Sequence, residues 1–345
     1  MGARKSHPYA AVRTTNYSHE MAEAGIEPGQ ITTRAEMKDL FGGGPQGGIV
    51  PSTTTDTILI YSDHSTGHRY GYYDGWLAEE DEHGPIFEYT GAGTVGDQTF
   101  QGQKGSGNKA ILHHDADDRV LRVFIAAGKV PGSGTKFQRY VGQFALDLQQ
   151  PYVLRQAPDD TDTLRTVIVF RLRPTSDVKR NEKDAIPPAP ATQVNLVPAE
   201  VTTSSMVEPE NNKKIKGIRS AQPSTPTERR EAALSNAYQK HLATNGHEVK
   251  RVQIRPEGLT STLMTDLYDV TDHVLYEAKG TSTRKDIRMA IGQLLDYRRH
   301  VTPPNPRLAV LVPSEPDQDL QKLLIAENIA LVYQDDVSFI GEIVP

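Results

Sequence analysis

The chain has 345 residues, a formal net charge of −6, 37% hydrophobic residues and no cysteine, with a mean hydropathy of −0.52. That length suffices for two domains with a core each, and the polar balance calls for folded parts plus a polar connector. Disulfides, thiolate zinc sites and a cysteine nucleophile are excluded, whereas a nucleic-acid partner is not, because a local basic surface is enough for one.

Residues 1–24 form a polar tail without the apolar stretch of a secretory signal. The longest apolar runs, such as Val167–Phe170 and Leu308–Val312, are too short to span a bilayer. The expectation is a soluble cytoplasmic protein with no membrane partner. Residues 25–173 hold a short helix near Arg34–Phe41 and then read as β-structure. Apolar runs at Thr57–Tyr61, Ile86–Tyr89, Ala110–Leu112, Val120–Ile125 and Thr166–Leu172 are broken by Gly, Pro, Asp and Asn. Dense glycine favours a barrel or sandwich with long functional loops. Residues 174–226, rich in Pro, Ser, Thr and charge, read as a linker with a short ordered piece at Val194–Val197.

Residues 227–345 change character. A helix from Thr227 to Thr244 is followed by strands at His247–Arg255, Leu263–Val270 and His273–Lys279. Next come a helix over Thr283–Arg299, a strand at Leu308–Val312, a helix at Pro316–Glu327 and a strand at Ala330–Tyr333. The order αβββαβαβ is that of a small α/β domain with a mixed sheet. On the third strand Glu277 and Lys279 project to one face, and Ala278 to the other. If the two preceding strands pair through the turn at Thr271-Asp272, Asp266 faces Glu277. Two such carboxylates, with the Ala278 carbonyl as a third ligand, suit Mg²⁺ or Mn²⁺. Lys279 would orient or acidify a metal-bound water, or stabilise developing negative charge.

Asp266, Glu277-x-Lys279 and then Gln293 and Tyr297 on the next helix resemble the PD-(D/E)xK nuclease superfamily over residues 227–345. The resemblance implies a Mg²⁺-dependent phosphodiesterase with Asp266, Glu277, Lys279 and Gln293 in the catalytic centre. It also implies an acid from the first helix, for which Glu231 is best placed. Thr265 stands where the family pattern has proline, and Asp269 is a rival for Asp266. Arg284, Lys285, Arg288, Arg298 and Arg299 are candidates for tracking a phosphate backbone.

The front half carries Tyr73-Asp74-Gly75-Trp76, Tyr89-Thr90-Gly91-Ala92-Gly93, Gly96-Asp97-Gln98 and Gly107-Asn108-Lys109-Ala110. Glycine loops edged by rings and carboxylates could sandwich a flat base. The dinucleotide-like run Gly91–Gly96 is discounted because no helix-forming segment is expected after it. His64, His68, His113 and His114 lack the spacing of a zinc site. The ordered set resembles the SRA (YDG) domain over residues 25–173, a curved β-barrel that flips a modified cytosine into a pocket. The resemblance implies Tyr73 and Tyr89 as stacking rings and Asp97 as the base-edge reader. Asp74, Thr90 and Gly91 would belong to the same modified-base and DNA surface, with Gln98, Asn108 and Lys109 near the duplex.

Together the halves are expected to form an α+β two-domain protein of the type IV, modification-dependent restriction class. Such an enzyme would bind double-stranded DNA carrying a modified base and could act as a homodimer. Two alternatives stay open: a modified-DNA binder with an inactive nuclease domain, and a nuclease that reads a phosphorothioate or another mark. A purely structural protein would show no affinity for DNA.

Overall fold

The computed structural model describes residues 25–81, 83–159, 161–199 and 226–342. The expected tail at 1–24 and most of the second half of the expected linker therefore lie outside the described residues. The strands collect into two mixed sheets.

The first sheet has nine strands: β1 (Ile31–Thr33), β2 (Ile49–Pro51), β3 (Thr57–Ser62), β4 (Gly75–Trp76), β5 (Phe87–Thr90), β6 (Val120–Lys129), β7 (Lys136–Leu146), β8 (Tyr152–Pro158) and β9 (Leu164–Pro174). Its path is β2-β3-β6-β7-β9-β5-β4, with β1 also on β7 and β8 also on β9. Only β3 and β6 pair in parallel. The path ends on β2 and β4, which do not pair among the described residues, so the expected barrel is not closed. One face of the sheet gathers Ile58, Ile60, Trp76, Phe87, Val123, Phe144, Phe170 and Leu172 into a core.

Helix α1 (Arg34–Phe41) is held by a capping box between Thr33 and Glu36 and seats Met37 and Phe41 on the other face. The apolar run at Ala110–Leu112 is not a strand; it ends helix α2 (Ser106–Leu112). Three apolar residues are too few to distinguish a period of two from one of 3.6. A helix therefore does follow the Gly91–Gly96 run, though only ten residues later.

The stretch read as a linker carries structure in its described part. Asp184 is buried and ion-paired with Arg139, Ile186 packs with Leu77 and Ile86, and β10 (Gln193–Pro198) pairs antiparallel with β11 (Val249–Arg255) in the second sheet. That sheet continues with β12 (Leu263–Met264), β13 (Leu267–Asp269), β14 (Val274–Ala278), β15 (Arg307–Val312), β16 (Ile329–Asp335) and β17 (Ser338–Glu342), in the order β10-β11-β13-β14-β15-β16-β17. Parallel pairs β14-β15 and β15-β16 are linked by helices α4 (Arg284–Tyr297) and α5 (Gln318–Ala326), as parallel pairing requires a crossover. Helix α3 (Pro226–Thr244) precedes β11.

Side chains alternate across β14, and this sorts the core. Val274, Tyr276 and Ala278 pack with Leu234, Tyr238 and Leu242 of α3. Leu275 packs with Ile287, Ala290, Leu294 and Tyr297 of α4. Glu277 and Lys279 share Leu275's parity, so they lie on the α4 side.

Candidate functional site

The acidic cluster forms where β13 and β14 begin and end. Leu267 pairs with Tyr276, Tyr268 with Leu275 and Asp269 with Val274. Continued by one residue, that register sets Asp266 opposite Glu277. Asp266 lies in a bend between β12 and β13, and its Oδ2 accepts the Ala278 amide at 2.8 Å. The side chain thus takes up a donor that a continuous strand would have bonded by its backbone. Thr265, where the PD-(D/E)xK pattern has proline, holds the bend: its amide donates to the Val252 carbonyl at 3.0 Å and its hydroxyl accepts the Val252 amide at 2.9 Å. Arg251 donates to the Thr265 carbonyl at 2.6 Å and approaches Asp266 at 3.8 Å.

Glu277 is 2% exposed and Lys279 5%. The Lys279 ammonium donates to Glu277 Oε1 at 2.9 Å, whereas Glu277 Oε2 is buried with no hydrogen-bond partner. Glu231 of α3 reaches the end of β14 and accepts the Gly280 amide at 3.3 Å. A side chain at Gly280 would collide with the Thr227 carbonyl, so glycine lets the α3 terminus approach the strand. Gln293 of α4 also has a buried oxygen without a partner.

The Lys279 ammonium and the Arg251 guanidinium do not offset burial and the carboxylates crowded here. Burial first, then the charge of Asp266, pushes Glu277 well above the ordinary carboxylate range, against the pull of Lys279. The same two causes push Glu231 up to about 7. Lys279 is raised above its ordinary value: burial opposes this, but Glu277, Asp266 and Glu231 together outweigh it. The Tyr297 hydroxyl is raised by burial and then by the charge of Glu277. A divalent cation fits this donor set, since hard carboxylate oxygens converge and one of them is buried and unsatisfied. The rival Asp269 lies on the opposite face, accepting from His247 at 2.6 Å and from the Thr271 and Asp272 amides. On α4 and directly after it, Arg284, Lys285, Arg288, Arg298 and Arg299 are exposed, with Arg284 tied to Asp319 at 2.6 Å and Arg299 to Asp296.

The front residues fall into two groups. Asp74 accepts from the Ser62 hydroxyl at 2.7 Å and from the Thr90 amide at 2.7 Å, which joins the Tyr73-Asp74 loop to the end of β5. Burial raises its carboxyl above the ordinary range, against those hydrogen bonds. Tyr89 is 4% exposed within the sheet core, whereas Tyr73 is 38% exposed and lies against His68. The second group is occupied within the protein. Asn108, fully buried, accepts the Ala92 amide at 2.7 Å and donates to the Ala92 and Thr99 carbonyls at 3.0 Å each. Gln98 donates to the Gly91 carbonyl at 2.6 Å and accepts the Ile168 amide at 2.8 Å. A Cβ on Gly91 would stand 2.7 Å from Asn108 Oδ1 and 2.9 Å from Gln98 Oε1, so this clasp requires glycine. Asp97 accepts the Thr166 amide at 2.7 Å, and Lys109 is exposed.

His114 is buried too. It accepts the Leu146 amide on Nε2 and faces the Arg119 carbonyl through Nδ1, a structural pairing that sets it in the neutral form. Sequence reasoning missed Arg251, Thr265 and Tyr72. Tyr72 donates to the Gly93 carbonyl at 2.7 Å and accepts from Gln98 at 3.2 Å. Only the proximity of Thr265 to Asp266 in sequence hinted at any of the three.

No curated protein matches the chain. Among solved structures, the type IV phosphorothioation-dependent restriction endonuclease ScoMcrA is 21% identical, over 45% of this chain and 27% of that one, with a TM-score of 0.32. The DNA modification-dependent restriction endonuclease AspBHI is 10% identical over 87% and 85%, with a TM-score of 0.30. The MspJI restriction endonuclease in complex with a 27-mer oligonucleotide is 12% identical over 89% and 78%, with a TM-score of 0.27. The chain spans about a quarter of ScoMcrA's length. No helix among the described residues is long and apolar enough to cross a membrane. Residues 28–189 match the family described as ScoMcrA-like, SRA domain, and they hold the first sheet together with Ile186, which packs against it: this segment of the chain is an SRA domain.

Proposed function

We propose that the protein is a modification-dependent DNA endonuclease of the type IV restriction class, acting in the cytoplasm on duplex DNA that carries a modified base. The observation that carries the reading is the buried convergence of Asp266, Glu277, Lys279 and Glu231 at one strand end, with a Glu277 oxygen left unsatisfied, in a chain that also contains an SRA domain. Asp266, Glu277 and the Ala278 carbonyl would hold Mg²⁺ or Mn²⁺. When bound, the cation supplies Lewis acidity toward a phosphoryl oxygen and a nucleophilic water.

The chain's own groups do the rest. Lys279, held protonated by the surrounding carboxylates, would set a fixed positive charge beside the phosphoryl oxygens on which negative charge develops. Glu231, with its carboxyl raised to about 7, can exchange a proton near neutral pH. Gln293 offers an amide to orient a polar group beside Glu277, and the α4 arginines track the backbone. In the front half, Tyr73, Tyr89, Asp74, Thr90 and Gly91 would form the pocket for an extruded modified cytosine, with Asp97 reading the base edge and Lys109 near the duplex. Gln98 and Asn108 would act by holding the loop in shape. Cutting both strands calls for two centres, so a homodimer is part of the proposal.

The test is cleavage of methylated, hydroxymethylated and plain duplexes of one sequence, with and without Mg²⁺. Cutting confined to a modified duplex and dependent on the cation is the expected result. Modified-DNA binding without cutting under any divalent cation would leave a reader without a nuclease.

A further inference from the structure

Among the described residues, a loop of the acidic sheet is held by the SRA segment. Pro256–Thr262 joins β11 to β12, and β12 leads through Thr265 to Asp266. Glu79, five residues after Asp74, accepts three hydrogen bonds from this loop: the Thr260 amide at 3.0 Å, the Ser261 amide at 2.9 Å and the Thr260 hydroxyl. Thr260 is 2% exposed, and its hydroxyl oxygen also accepts the Ala78 amide at 2.8 Å. Burial opposes the Glu79 charge, but these donors hold its carboxyl below the ordinary value.

Two further contacts flank this hold. Gln253 of β11, buried, pairs its amide with the backbone of Leu154 on β8, accepting the amide at 3.0 Å and donating to the carbonyl. A side-chain amide thus covers the open edge of β8. Arg155, ion-paired to Glu88 at 2.7 Å, donates to the Thr262 hydroxyl at 3.0 Å. From the far side, the connector holds the same loop, since Ala189 donates to Leu259 at 2.8 Å and Gly258 to Ala189 at 2.9 Å. Met264 packs against Val153, Ala157, Val167 and Val169 of the first sheet. The loop is therefore braced at both ends, and the braces touch the backbone on either side of the two candidate sites.

We infer that Glu79 and Gln253 are positioning residues: their contacts with the Pro256–Thr262 loop and the β8 edge set a fixed distance along the DNA between the recognised base and the cut. The inference rests on the proposed function and adds the rule for where the enzyme cuts. A rigid joint of satisfied, part-buried hydrogen bonds holds the two centres at one separation. A slack joint lets the separation vary with the reach of the connector.

The experiment uses the full chain and two probes, a duplex with one 5-methylcytosine and a duplex with one phosphorothioate, with both strands' ends mapped at nucleotide resolution. Wild type is expected to cut within one or two positions. Glu79→Ala combined with Gln253→Ala is expected to spread the cuts over several-fold more positions, with affinity for the preferred probe changed by less than about twofold. Glu79→Gln, which keeps one acceptor oxygen but turns an NH2 toward the other backbone amide, is expected to give a spread between wild type and the double variant. Small-angle scattering supplies the readout independent of cutting: the double variant should show a larger radius of gyration, and Glu79→Gln one between it and wild type. A narrow, unshifted pattern with unchanged scattering in the double variant overturns the inference while leaving the nuclease reading intact. If wild type cuts neither probe nor a hydroxymethylated duplex, the nuclease reading falls, and unchanged scattering alone then refutes the clamp. Circular dichroism confirms that the variants are folded, and the loop variant Thr260→Val provides a second, milder break expected to give an intermediate spread.

Discussion

Two regions of the molecule, the Asp74 and Gly91 loops of the SRA domain and the end of β14, treat their polar groups in opposite ways. In the SRA domain the loop residues satisfy one another: Asn108 makes three hydrogen bonds to backbone, Gln98 clasps Gly91 and Ile168, and Asp74 takes donors from Ser62 and Thr90. At the end of β14, carboxylates crowd one ammonium, and oxygens of Glu277 and Gln293 are buried without partners. A satisfied network fixes a shape in advance, as a reading surface needs. An unsatisfied one stores repulsion that a cation relieves, as a hydrolytic centre needs. The contrast separates residues that shape a surface from residues that await a ligand.

Four substitutions or titrations probe that contrast, the largest effect first. Lys279→Ala should lower the rate of modified-duplex cleavage about 10²–10³-fold, because it removes a fixed charge from the proposed reaction centre. Binding to the same duplex should be unchanged, as checked by gel shift.

The second probe is pH. The Glu231 carboxyl is raised from 4.5 to about 7 in the folded protein, so the fold binds a proton that the unfolded chain releases. Its contribution to stability is present below pH 4.5 and is lost as pH rises through 7, an effect on the order of 2–3 kcal/mol. Thermal unfolding without metal should therefore occur at lower temperature as pH climbs through that window, and Glu231→Gln should flatten the dependence. A wild-type profile flat between pH 4.5 and 7 would remove the stored repulsion from the account.

Asp74→Asn can still accept the Thr90 amide and donate to the Ser62 hydroxyl, but it removes the carboxylate from the proposed pocket. It should cost about 1–3 kcal/mol of discrimination between modified and plain duplex, read as the ratio of two dissociation constants. Asn108→Ala should act on the fold instead, lowering stability by about 1–3 kcal/mol through the backbone groups it strands, as measured by denaturant midpoint. Loss of discrimination at constant stability from Asn108→Ala would reverse the roles assigned to the two residues.

Much of the back site was legible because its logic is local. Alternation put Glu277 and Lys279 on one face, and the Thr271-Asp272 turn set Asp266 opposite Glu277; Gln293 and Tyr297 came from the spacing of the family resemblance. The bend at Thr265 was not legible, so Leu263–Val270 read as one strand where β12 and β13 are separate. Strand β10 was visible only as a short ordered piece within a polar stretch, because an edge strand draws its stability from its partner β11 rather than from its own pattern. In the front half, Gln98 and Asn108 read as DNA contacts because polar residues among glycines look like ligands. Sequence does not reveal that their groups close on the loop itself. Neither Glu79 nor Gln253 was singled out, since Glu79 meets Thr260 across 181 positions and such contacts leave no local pattern.

The measurement that bears most directly on the proposed centre is a calorimetric titration of Mn²⁺ into the wild-type protein and into Glu277→Gln, without DNA and near pH 7.5. The account predicts a saturable site in the wild type and its loss in the variant, because the carboxylate with the unsatisfied oxygen is gone. Equal binding by both proteins would contradict it.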